Sequence, residues 1–123
     1  MTVFEFDGGK KLQLAFTLGA WEKMENEVCA LDDLFDMYKA ENTKKRMSVE
    51  AMRNTIKVAV IFAEAAGNHI TYDELYSAFK PGNVFVLQGA IMAAVNEGLD
   101  FENKPQKRDL VLEELDAESG KNG

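Results

Sequence analysis

The chain has 123 residues, enough for one domain, and 46% of them are hydrophobic, with eight Phe, three Tyr and one Trp to build a core, so wholesale disorder is excluded. A formal net charge of -7, from 21 acidic and 14 basic side chains, repels phosphate backbones and argues against nucleic-acid binding. Cys29 is the sole cysteine, which excludes an intrachain disulfide, and the longest apolar run, Val58 to Ala63, falls far below the roughly 20 residues of a membrane-spanning helix.

Residues 3 to 16 are predicted to form a hairpin. Phe4 and Phe6 alternate with polar neighbours, Leu12, Leu14 and Phe16 do the same, and Asp7-Gly8-Gly9 lies between the two runs. The Gly8-Gly9-Lys10-Lys11 stretch is its turn and not a phosphate loop, because it lacks the longer glycine-to-lysine spacing and opens no helix. The first residues, Met1 to Asp7, lack the basic start and apolar stretch of a secretory signal.

Thr17 is a candidate N-cap for a helix over 18–28, with Leu18, Trp21, Met24 and Val28 on one face. A second, over 31–39, carries Leu31, Leu34, Phe35 and Tyr38 on one stripe, leaving Asp32, Asp33 and Asp36 as its solvent face. The polar stretch from Ala40 to Met47, with the basic run Lys44-Lys45-Arg46, is predicted to be a loop. Ser48 caps a long helix over 48–66 that Gly67-Asn68 stops, and its all-round apolar part, Val58 to Ala63, marks it as the central element. Thr71 to Glu74 has capping-box spacing and opens a helix over 72–79. Pro81-Gly82 ends that helix, and Asn83 caps the last one, over 83–99, in which Gly89 marks a close helix crossing.

The expected fold is therefore mainly α (α+β), an N-terminal β-hairpin packed on a compact bundle of about five short helices, forming one globular domain over 1–102. Residues 103–123 make a charged C-terminal tail, partly disordered, that starts with a linker around Lys104 to Arg108.

No group of residues carries a recognisable chemistry, so no catalytic, cofactor-binding or metal-binding residue is assigned. His69 is the only histidine, and it follows a helix stop, where a loop histidine bonds locally or meets solvent; nothing in the sequence pairs it with Cys29. Cys29 reads as a small buried hydrophobe. Six methionines are many for the length; Met24, Met52 and Met92 lie on helical apolar stripes, whereas Met37 and Met47 are candidates for exposure. In the tail, Leu110, Val111, Leu112 and Leu115 stand among Asp109, Glu113, Glu114, Asp116 and Glu118, a pattern that suits either a partner's groove or docking on the chain's own domain.

The run from Lys11 through Phe16-Thr17-Leu18-Gly19-Ala20-Trp21 to Glu25, a strand pair flowing into a Glu-rich helix, resembles the tail assembly chaperones of tailed bacteriophages and prophages. The likeness extends over roughly residues 8 to 100 and includes a long helix near Ile56 to Ala66 and a Thr-x-x-Glu start like Thr71 to Glu74. The resemblance implies a non-enzymatic protein of the bacterial host cytoplasm that binds the tape measure protein, helps recruit tail tube subunits and is absent from the mature virion. No cofactor is expected, the charge and the short apolar run leave no nucleic acid and no membrane as partners, and homo-oligomerisation stays open. On this reading the partner-binding surface combines Leu34, Phe35 and Tyr38 with Leu110, Leu112 and Leu115. The alternatives are a structural phage tail or connector subunit, or a small acidic phage-encoded inhibitor of a host protein.

Overall fold

Strands β1 (Thr2–Phe6) and β2 (Lys10–Leu14) pair antiparallel, with Thr2 opposite Leu14, Phe4 opposite Leu12 and Phe6 opposite Lys10. The computed structural model describes residues 2–100 apart from Asp7, Gly8, Ala40 and Asn42, with Thr43 described in its backbone only. Gly9, at φ 82°, supplies the left-handed residue of the reversal. The register is set by the period-2 pattern: it turns Phe4, Leu12 and Leu14 inward together, and a slip of β2 by one residue would turn Leu12 and Leu14 to solvent.

Six helices follow among the described residues, so the hairpin-plus-helices α+β architecture is as expected. They are α1 (Leu18–Glu27), α2 (Leu31–Tyr38), α3 (Thr43–Arg46), α4 (Val49–Ala65), α5 (Tyr72–Ala78) and α6 (Pro81–Leu99). Side chains close the starts of three of them. The Thr17 hydroxyl accepts from Ala20 N–H, the Ser48 hydroxyl from Ala51 N–H, and Thr71 and Glu74 complete a reciprocal capping box. The end of α4 is a Schellman turn: Gly67, at φ 94°, gives its N–H to Glu64 O, and Asn68 gives its N–H to Ala63 O.

Helix α4 is the centre. Val58, Ala59, Ile61, Phe62 and Ala63 are all buried, because the hairpin and helices α1, α5 and α6 pack against it. The hairpin is also tied to it through the backbone, Ala15 N–H donating to Phe62 O at 3.0 Å. Burying a side chain as large as Phe62 stabilises the fold by about 1.5–3 kcal/mol, so this helix carries much of the apolar driving force.

Four expectations change. The stretch Thr43–Arg46 is a helical turn, not plain loop. Helix α6 starts at Pro81, earlier than the Asn83 cap, because proline at the first helical position gives up only an amide that has no partner there. Leu18 is 79% exposed, since α1 rests on the core through Ala20 and Met24. Gly89 has open space where a side chain would begin, and the close approach on α6 is made by Gly98, where a Cβ would lie 2.4 Å from Phe16 O.

Candidate functional site

The thiol of Cys29 lies at the junction of α1 and α2, on a groove of about 290 Å³ shared with Asp33, Asp36, Met37, Lys45 and Ser48. Burial pushes this thiol up, and the negative charges of Asp33 and Glu25 push it further the same way. Nucleophilic cysteines are activated in the opposite direction, by cations or helix N-termini that favour the thiolate. His69 is exposed and lines a different groove, with Val60, Glu64, Asn68, Ile70 and Thr71. The two groups that could have made a nucleophile–base pair are thus held apart. Asp32, Asp33 and Asp36 are exposed along α2, and among the described residues no three of His, Cys, Asp and Glu converge as metal ligands.

Behind α2 lies a buried polar cluster. Thr55, with no exposed surface, donates its single hydroxyl proton to Ala51 O at 2.7 Å, so the Tyr38 hydroxyl is the donor in the bond between Tyr38 and Thr55. Burial holds the Tyr38 hydroxyl far above its ordinary range, which keeps it protonated in that role. Gln88 of α6 donates to Arg46 O at 3.2 Å and to Thr55 at 3.4 Å, joining α3, α4 and α6. These contacts make α2 part of the core. Leu34 has no exposed surface, Phe35 is half-buried, and Leu110, Leu112 and Leu115 lie outside the described residues. Met47 is exposed and Met37 half-buried.

An apolar surface does open elsewhere. Val49, Met52 and Ile56 of α4, Tyr76 at the end of α5, Phe79 beyond it, and Pro81 and Val84 at the start of α6 enclose a groove of about 190 Å³. Each helix contributes for a local reason. Val49, Met52 and Ile56 fall on one stripe of α4, the Tyr72–Tyr76 ring stack at 5.3 Å braces the exposed side of α5, and Phe79 turns inward to stack on Phe4 and meet Phe6 at a tilt. Val49 and Tyr76 remain 59% and 45% exposed, and Arg53 and Lys80 stand in solvent beside them. No single segment of the sequence signals this groove, because its wall is assembled from three elements. The only local hint is Val49, an apolar residue in the first turn of α4.

The chain is 36% identical over 86 residues to the octanoyltransferase LipM of Staphylococcus epidermidis, a match that covers 69% of this chain and 26% of that protein. The chain thus spans about a quarter of the length of the relative it matches. No family model and no solved structure matches it.

These findings correct the resemblance to phage tail assembly chaperones. The named relative is an enzyme, so the non-enzymatic chaperone role and its structural-subunit and inhibitor alternatives are withdrawn with it. That resemblance rested on a layout of hairpin and small helices plus one stretch, Lys11 to Glu25, and such a layout serves many functions. The tape measure and tail tube proteins were expected as partners on that ground alone. Among the described residues no helix is long and apolar enough to cross a membrane.

Proposed function

We propose that this chain is an acyl-chain-binding domain related to part of an octanoyltransferase, and that it holds a medium-length acyl chain in the groove between α4, α5 and the start of α6. The observation that carries the reading is the lining of that groove by aliphatic and aromatic side chains, set beside the match to an enzyme named for its transfer of octanoyl groups. Binding sites for apolar ligands are built in this way, as apolar clefts with few polar groups. Cys29 lines a different groove, so the acyl-binding cleft is built without it.

The magnitude is bounded. Burying about seven methyl and methylene groups at about 0.8 kcal/mol each gives at most about 5.6 kcal/mol, a dissociation constant no tighter than about 0.1 mM before ordering costs. Calorimetric titration with butanoate, hexanoate, octanoate and dodecanoate tests the reading. Affinity is expected to rise several-fold with each pair of carbons up to octanoate, and Val49→Asp is expected to abolish it while Val86→Asp, elsewhere on α6, leaves it intact. Equal affinity across the series, or none at millimolar octanoate, would overturn the proposal.

A further inference from the structure

The groove leaves apolar side chains in water, and the chain itself continues beyond α6 with a segment of matching chemistry. Leu110, Val111, Leu112 and Leu115 stand among Glu113, Glu114 and Asp116. We propose that residues 110–116 of this chain dock in the groove between α4, α5 and the start of α6. The inference goes beyond acyl binding and does not depend on it.

Reach supports this assignment. Helix α6 begins at the groove, with Pro81 and Val84 in its wall, and its 19 residues carry the chain roughly 28 Å away. Asp100 then leaves the helix in a left-handed conformation, φ 45° and ψ 44°, which breaks the helical path. The nine residues from 101 to 109 span up to about 30 Å when extended. That length returns Leu110 to Val84 if the chain runs back along α6. A much shorter connection could not deliver it.

Arg53, whose positive charge also acts on the Tyr72 hydroxyl, is exposed next to Met52 on α4, and Lys80 is exposed next to Pro81 at the start of α6. The stretch from Asp109 to Glu118 has five acidic side chains and no basic one. Asp73 of α5 and Glu50 of α4, the latter lining the Cys29 groove, are exposed as well and offset these cations, so the leucines supply the affinity. An acidic segment with spaced leucines laid along an apolar groove between helices is a recurrent mode of peptide recognition.

Paramagnetic broadening in the full-length chain tests the proposal without any acyl ligand. A nitroxide is attached at position 117 through Ala117→Cys in a Cys29→Ser background, and the methyl signals of Val49, Ile56 and Val84 are recorded. These signals are expected to be lost while those of Val3, on the hairpin, persist. Adding Leu112→Asp and Leu115→Asp is expected to bring them back. Weak uniform broadening, or loss centred on another groove such as that of Val60 and Ile70, would overturn the assignment. So would broadening seen only between differently labelled molecules in a mixed sample, which would put the segment in the groove of a second copy. Octanoate titration is read separately, so failure of one reading leaves the other standing on its own result.

Discussion

Gly89 and Gly98 lie on the same helix and look alike in the sequence, yet the fold asks opposite things of them. At Gly98 a Cβ would meet Phe16 O at 2.4 Å and the Phe16 ring at 3.0 Å, whereas at Gly89 nothing lies within 4 Å. Gly98→Ala is expected to destabilise the fold by about 1–3 kcal/mol, as overpacking does, and Gly89→Ala to stabilise it by about 0.5–1 kcal/mol through helix propensity. Urea denaturation of the two variants checks both signs. Glu25 provides a second residue-level test. The Leu31 backbone N–H first, and the Trp21 indole N–H second, hold its carboxyl below the usual carboxylate range. A folded-state pKa that is depressed contributes stability above the unfolded value, near 4.5, and loses it as pH falls through the folded one. Glu25→Gln is therefore expected to flatten the acid limb of the stability curve below about pH 4.5 without changing the slope near neutrality.

At the scale of elements, the sequence announced most of the local punctuation. Thr17, Ser48 and the Thr71/Glu74 pair are seen as caps, Gly67-Asn68 as a stop, and the alternation of Phe4, Leu12 and Leu14 as one buried face. These signals act between near neighbours, so they can be read without knowing the rest of the chain. Thr71→Ala removes one half of the capping box and is expected to cost about 1 kcal/mol, with the loss of amide protection confined to α5 in hydrogen exchange. What the sequence hid depends on distant contacts. The turn Thr43–Arg46 is held where Gln88 donates to Arg46 O, 42 residues away, and Gly98 matters because of Phe16. The groove was hidden for the same reason, since Val49, Tyr76 and Val84 meet only after three helices have packed.

At the scale of the whole molecule, one helix organises everything else. Phe62 has no exposed surface and touches the aromatic ring of Phe16, with centroids 5.3 Å apart, so Phe62→Ala is expected to cost about 3–5 kcal/mol and to lower the midpoint of a single cooperative transition. Most of the Val58–Ala63 part of α4 is sunk in the core, whereas in its first turns Val49, Met52 and Ile56 form one wall of the apolar groove. The same helix thus anchors the fold at one end and offers a binding surface at the other. A methyl-resolved NMR titration with octanoate tests that claim most directly, because it shows where the chain binds as well as whether it does. Shifts are expected at Val49, Ile56 and Val84 and to saturate together in the millimolar range. Shifts centred instead on the Cys29 groove, or none at saturating octanoate, would contradict the account.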